Sequence, residues 1–430
     1  MKRQALLGIS AAAVVVLVGG CAFSGGQSES GASSDGPVTL TFQSLAYQDS
    51  TVAATKEIVD RWNADNPNIQ IKLTQGSWDS VHDQLVTQFQ GDTAPDIIHD
   101  ESSDIMGFAS QGYLADIGQY LSQDTKNAVS DDVWKTVTTP DGKIVAAPTL
   151  IQTYVAFANT DAFAAAGVPV PTGDELGWDD LRASAKQLTS GGKFGVGWGL
   201  KQPTAAIMNT AVGFDGTFFD VADDGKATIN VGSNEVAVPE RIHAMVYDDK
   251  SLDPVSVTQS GTDVLPGFLG GKYAMYVGGN FLAQQITESA PAGFKWTVLP
   301  PLAGSAGSAQ AANPQTMSVS ARSKAPERAA KFIDFFMGAE NQAKLARGDW
   351  LIPASAPARD KVAEQTTDIP VWEPILKSGV NLKGAPFQQA ANYPQWKDQY
   401  ATPALQQYFA NSISLDDLKK RLTEGWTSIG

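Results

Sequence analysis

Asp100 and Glu101 stand side by side just after Ile97-Ile98-His99. Adjacent carboxylates at the end of a strand can serve two chemistries. As an acid and a base they would suit glycoside hydrolysis; as acceptors they would take hydrogen bonds from a ligand's hydroxyls. A chain of 430 residues with 46 acids brings such neighbours together by chance, so a solvated loop or a helix cap is the plain alternative. The rest of the catalytic repertoire is thin. His82, His99 and His243 are the only histidines, too few and too scattered for a histidine zinc site. No His-Glu-x-x-His, Gly-x-Ser-x-Gly or P-loop pattern occurs. Gly195-Val196-Gly197-Trp198-Gly199 is glycine-rich, but the third glycine of a dinucleotide fingerprint would fall at Leu200. Binding is expected rather than catalysis, with no metal and no cofactor.

Aromatic rings offer the second chemistry. The C–H face of a pyranose stacks on an aromatic plate, which supplies area and a fixed orientation. The chain has 10 tryptophans. Trp62 lies on an apolar helix stripe, Trp178 opens a helix and Trp296 begins an apolar strand, so these three are expected to pack. Trp78 follows Gly76-Ser77, and Trp198 lies between two glycines; both are candidates for exposure to a ligand.

Cys21 is the only cysteine, which excludes an internal disulfide and a cysteine-rich metal site. Lys2 and Arg3 precede an apolar run from Ala5 to Gly20, too short for a spanning helix and ordered like a secretory signal. Val18-Gly19-Gly20-Cys21 resembles the lipobox of bacterial lipoproteins, whose cysteine is lipidated and becomes the first residue after cleavage. An ordinary signal peptide with an incidental cysteine is the alternative. Ser24 to Gly36 is a Ser/Gly-rich tether. Cleavage removes two basic residues and takes the formal charge from −15 to −17. So acidic a chain is not expected to bind nucleic acid or to adhere electrostatically to anionic lipid. A covalent anchor fits that charge.

The elements that must position these residues follow from periodicity. Val38–Phe42 reads as a strand, Thr51–Asn66 as a helix, Ile69–Leu73 as a strand. Asp79 is placed to cap a helix carrying Val81, Leu85 and Phe89, and Asp96–His99 reads as a third strand before a helix over Ser103–Gln111. Strands separated by helices predict parallel pairing with right-handed crossovers. Ile144–Ala147, Tyr154–Ala158, Gly271–Val277 and Trp296–Leu299 read as later strands. Trp178–Leu188 and Ala325–Met337 read as helices, and Asp223-Asp224-Gly225-Lys226 as a turn.

Several stretches in order resemble the extracellular solute-binding proteins of carbohydrate ABC transporters. They include "EIVDRWNADNPNIQIKL", "TAPDIIHDESSDIMGFASQGYLADI", "GKIVAAPTLIQTYVAFANTDAFAAAGV", "GFLGGKYAMYVGGNF" and "SARSKAPERAAKFIDFFMGAENQAKLARGDWLIPAS". The resemblance runs from about Val38 to Gly430. It implies two α/β lobes joined by a multi-strand hinge, closing over a ligand and presenting it to a membrane permease. The expected boundaries are a signal over 1–20, a lipidated tether over 21–36, a first lobe of 37–147 plus 297–337, and a second lobe of 148–296 plus 338–430. Crossings are expected near Ala147-Pro148, Trp296-Thr297 and Gly338.

The family cleft would then be lined at strand carboxyl ends. Gln43, Ser44 and Tyr47 follow the first strand, and Asp100 and Glu101 the third. Gln152 and Thr153 lie at the first crossing, with Thr149 satisfying backbone. Asn280 and Phe281 end the Gly-Gly turn; family members commonly carry tryptophan where Phe281 stands. The family often places a cleft residue in the turn holding Asp349 and Trp350, so Trp350 is the favoured plate of the second lobe and Asp349 a hydroxyl acceptor. Tyr393 and Trp396 fall in a loop that could rim the cleft. The expected protein is a monomeric, lipid-anchored receptor outside the cytoplasmic membrane, passing a sugar or oligosaccharide to an ABC permease. A receptor for a glycerophosphodiester or polyol is the second reading, and a secreted carbohydrate-active enzyme the third.

Overall fold

Apolar residues spaced by two and by four fold into two sheets with helices packed on their faces. The computed structural model describes residues 36–222 and 225–429. The signal segment, Cys21 and the tether up to residue 35 lie outside the described residues, as do Asp223 and Asp224 of the expected turn. The main strands, in chain order, are β1 (Val38–Ser44), β2 (Ile69–Gln75), β3 (Ile97–Glu101), β4 (Ala146–Ile151), β5 (Tyr154–Asn159), β6 (Phe194–Trp198), β7 (Tyr273–Gly279), β8 (Trp296–Val298), β9 (Pro314–Val319) and β10 (Ile352–Pro353).

The first lobe is built on a six-stranded sheet in the order β10-β4-β9-β3-β1-β2. β1 pairs in parallel with β2 and β3, as strand–helix alternation predicts. β9 then runs antiparallel between β3 and β4. Helices α1 (Asp49–Asp65), α2 (Val81–Gln90) and α3 (Ser102–Ser110) connect or follow the first strands. The stripe Val81, Leu85 and Phe89 is buried. Asp79 does not cap α2, because Ser80 occupies that position in a left-handed conformation and makes no side-chain cap bond.

The second lobe is built on a four-stranded sheet, β8-β5-β7-β6. β5 and β7 are buried along their whole length, which is why they read as unbroken apolar runs rather than alternating ones. Its helices near the cleft are α4 (Thr204–Ala211) and α5 (Gly261–Leu269).

Late in the chain, α6 (Pro326–Phe336) and α7 (Ala339–Asp349) pack on the first lobe. Pro326 sits in the first turn of α6, where its missing N–H costs nothing. Phe332 and Phe336 set their rings 5.8 and 5.9 Å from Phe42, and Phe332 lies 5.5 Å from Trp62. Burying each such ring contributes about 1.5–3 kcal/mol.

The chain crosses between sheets later than expected at each point. The expected crossing at Ala147-Pro148 falls inside β4, which stays in the first sheet to Ile151; the exchange occurs at Gln152-Thr153. Trp296-Thr297 belongs to β8 and pairs with β5, and the chain rejoins the first sheet only at Pro314. Gly338 caps the N-terminus of α7, and β10 beyond it still pairs with β4. The last transfer follows Ser378, after which Phe387, Tyr393 and Trp396 pack in the second lobe's core. Tyr393 and Trp396 are 1% and 0% exposed, so neither rims the cleft.

Candidate functional site

The loop after β1 carries Tyr47, half exposed, and Gln48, buried, just before α1. Gln48 makes no side-chain cap to α1. Instead the start of α1 is held by the end of α7: the Thr51 hydroxyl donates to Asp349 Oδ1, Ser50 Oγ donates to Gly348 O at 2.9 Å, and Gln48 Nε2 lies 3.4 Å from Asp349 O. Gly348 allows this approach, since a Cβ there would lie 2.7 Å from Thr51 Oγ1. Asp349 is 4% exposed, and burial pushes its carboxyl up to about 6 despite the Thr51 and Gln48 contacts.

The loop after β2 presents Ser77, Trp78 and Asp79. Trp78 meets the His99 ring edge to face, with centroids 5.4 Å apart at 78°. His99 Nδ1 accepts from the Leu45 amide at 3.1 Å, so Nε2 carries the proton it shares with Gln315 Oε1 at 3.0 Å. Removal from solvent lowers His99 to about 4 and keeps the ring neutral. The plate formed by Trp78 is thus braced by an uncharged imidazole that is itself fixed at both nitrogens.

At the end of β3, successive residues point to opposite faces. Glu101 reaches the cleft, accepting from Ser103 Oγ at 2.9 Å and from Asn313 Nδ2 at 3.1 Å. Asp100 is fully buried, with Oδ1 accepting from the Glu101 amide at 2.9 Å.

The second lobe faces these loops with Gln152 from the crossing, Tyr154 from β5, Asn209 on α4, Thr262 on α5 and Phe281 after β7. Gly279 lets the Phe281 ring fold over the strand end: a Cβ there would lie 2.6 Å from Phe281 Cε1 and 2.9 Å from Gln152 Cδ. The cleft between the lobes has a volume of about 470 Å³. Two carbonyl oxygens on its walls, Gln48 Oε1 and Asn209 Oδ1, are buried and have no partner in the protein. They lie on opposite lobes. A buried acceptor left unsatisfied costs about 1–3 kcal/mol, which a hydroxyl donor from a bound molecule would recover.

Of the residues expected at the site, the cleft brings together Tyr47, Trp78, Glu101, Gln152, Phe281 and Asp349. Five others lie elsewhere. Gln43 is buried beneath the sheet end, its Oε1 accepting from Gln88 Nε2 at 3.4 Å. Asp100 belongs to an adjoining chamber. Trp198 is 1% exposed because Trp178 covers it, the rings stacked 5.7 Å apart at 21°. Trp350 is buried with its ring stacked on Trp372 at 4.8 Å and 18°, so it is a packing residue and not the plate of the second lobe. Asn280 is fully buried: its Nδ2 donates to Trp350 O at 2.9 Å, and its Oδ1 accepts from the Thr153 amide at 3.1 Å. It ties β7 to the crossing and to the end of α7. Thr153 is likewise buried, its hydroxyl 2.6 Å from Ser378 Oγ, and Thr149 Oγ1 donates to Gln315 O.

Gln48, Asn209, Asn313 and Gln315 were not legible as site residues. Gln48 had a signal in its place beside Tyr47, and Asn209 in being a lone amide in the apolar helix Thr204–Ala211.

A sequence profile of the bacterial extracellular solute-binding proteins matches residues 47–343. The lipoprotein of the oleD 5′ region in Streptomyces antibioticus is 40% identical over 413 residues, covering 96% of this chain and 90% of its own. Two solved structures share the fold at low identity. The GacH receptor of Streptomyces glaucescens, determined unliganded and with acarbose, has a TM-score of 0.74 at 20% identity, covering 91% of this chain and 98% of its own. A substrate-binding protein of Listeria monocytogenes in complex with cycloalternan has a TM-score of 0.76 at 23% identity, covering 91% and 99%.

Proposed function

The chain belongs to the bacterial extracellular solute-binding proteins, and on that premise we propose that it is a lipid-anchored, extracytoplasmic receptor that binds a sugar or oligosaccharide between its lobes and delivers it to an ABC importer permease. The observation that carries the reading is the composition of the cleft. Trp78 and Phe281 supply aromatic rings from opposite lobes, and the unpartnered acceptors Gln48 Oε1 and Asn209 Oδ1 belong to residues that line the same cleft. That is the pairing a pyranose requires: plates for its C–H face and acceptors for its hydroxyls. A ligand touching both walls favours closure, because it has more contacts in the closed form than in the open one.

Relatives support the sugar class: their structures hold acarbose and cycloalternan. A glycerophosphodiester is disfavoured by the charged lining of the cleft, which is Asp79, Glu101 and Asp349 with no lysine or arginine. A polyol remains the second reading. The anchor is proposed from the lipobox around Cys21, in keeping with a relative that is a lipoprotein.

Thermal-shift and calorimetric screens of neutral mono- and oligosaccharides, polyols and glycerophosphodiesters test the ligand class. A saccharide is expected to raise the melting temperature by an amount that keeps growing with the logarithm of its concentration above Kd. A shift produced only by a polyol or a phosphodiester overturns the sugar reading. Metabolic labelling with a palmitate analogue should mark the protein and be lost in Cys21→Ser; label persisting in that variant removes the anchor.

A further inference from the structure

A second chamber of about 440 Å³ adjoins the cleft across a wall shared by Trp78, Asp79, Glu101 and Ala205. Carboxyls dominate its lining. Six carboxyl side chains line it, from Asp79, Asp83, Asp100, Glu101, Asp104 and Asp398, against two basic ones, His82 and Lys397. Both bases are already engaged. His82 Nδ1 lies 2.7 Å from Asp104 Oδ1, and Lys397 Nζ lies 3.9 Å from Glu101 Oε1. Asp100 is fully buried in this wall, and its Oδ2 has no hydrogen-bond partner. Among the described residues no set of three or more histidine, cysteine or acidic side chains is arranged to hold a metal ion, so these carboxyls do not converge on one. Lys397 and Asp398 stand on a π-helical turn, Lys397–Ala401, a distortion that often marks functional positions.

We propose that this chamber is a subsite for a protonated amine carried by the ligand, so that the substrate class is a saccharide containing an amino sugar. The proposal rests on reading the main cleft as a saccharide site. A recess in which carboxyls outnumber basic groups six to two raises the local concentration of cations. Ammonium-to-carboxylate hydrogen bonds are about twice as strong as neutral ones, so the amine would gain more here than a hydroxyl in its place.

Asp100 gives the subsite a measurable signature. Burial first, and then the neighbouring Asp104 and Glu101, raise its carboxyl well above the usual range, while the Glu101 amide and Lys397 act the other way. The charged groups around it are Glu101 on β3, Asp104 on α3 paired to His82 on α2, and Lys397 and Asp398 on the π turn. An ammonium in the chamber would offset Asp104 and Glu101 and draw the Asp100 carboxyl back toward the ordinary range, so binding is expected to displace protons to solvent. The balance is one positive charge bound and up to one proton delivered to solvent.

The test is isothermal titration calorimetry of the full-length protein with matched probes. Chitosan trisaccharide and cellotriose share a backbone and differ by amine against hydroxyl, as do glucosamine and glucose. Each is titrated in two buffers of different ionisation enthalpy. The aminated member of each pair is expected to bind about 10-fold more tightly and to release protons. Asp100→Asn should abolish the proton release and shrink the amine's advantage. Asp398→Asn, at an exposed position, should reduce the advantage about twofold to threefold, which keeps the test open if the buried variant does not fold. Equal affinities, tighter neutral members, or aminated binding without proton release overturn the proposal. So does a blank for both members. Failure of the sugar reading itself is distinct: no neutral saccharide binds in the wider screen either.

Discussion

The turn after β2 and the turn after α7 each place a tryptophan beside an aspartate at the edge of the cleft, in opposite order and with opposite outcomes. In Trp78-Asp79 the ring faces the ligand space and is braced from behind by His99. In Asp349-Trp350 the carboxyl faces the ligand space and the ring turns inward onto Trp372. The cause is backbone conformation. Trp350 ends α7 at φ 55°, in the left-handed region, where the chain reverses and carries the side chain away from the cleft. After β2 the left-handed residue is Ser80, two places beyond the tryptophan, so Trp78 keeps its outward aim. The same two residue types make a plate in one turn and a bolt in the other.

Four substitutions would break or sharpen that contrast. Trp350→Ala should have the largest effect, lowering stability by about 3–5 kcal/mol in urea unfolding while leaving saccharide affinity within about twofold. A large affinity loss without a stability loss would return Trp350 to the site. Asp349→Asn should change the pH dependence of stability. Its folded value near 6 lies above the ordinary 3.8, so its contribution is fully present below about 4 and lost as pH rises through 6, a span of about 3 kcal/mol. His99 imposes the opposite slope, but equally in both proteins, so the difference between them isolates Asp349. Parallel unfolding curves from about pH 4 to about pH 7.5 would refute the assignment. Trp78→Ala should weaken saccharide binding by about 2 kcal/mol, near 30-fold, with stability changed by less than about 1 kcal/mol. Asn209→Ala should weaken it by about 1 kcal/mol; an unchanged affinity would mean that the buried carbonyl is not reached by the ligand.

The sequence made the architecture plain wherever it was periodic. β1, β2 and β3 with their helices were readable because each buries one face at a fixed spacing. The crossings were not. β4 is buried on every residue and paired on both sides, so nothing in Ala146–Ile151 signals where the first sheet ends. The site was legible by half for a related reason. Tyr47, Trp78, Glu101, Gln152, Phe281 and Asp349 sit at element ends that local pattern locates. Trp198 was lost to a partner 20 positions away, Trp178, and Trp350 to one 22 positions away, Trp372. Asn209 and Gln48 matter through unpaired atoms, a property that exists only once every neighbour is in place.

Asn280 has a mechanical consequence. The joint between the lobes is pinned by one amide that grips the Thr153 N–H on one side and the Trp350 carbonyl on the other, with a Thr153–Ser378 hydroxyl pair beside it. Every group in that pivot is uncharged. The pivot contacts therefore involve no ionisable side chain, whereas the cleft beside them is lined by Asp79, Glu101 and Asp349. The junction between the lobes and the walls of the cleft are thus built from different chemistry, neutral amide and hydroxyl contacts at the one and carboxyls at the other.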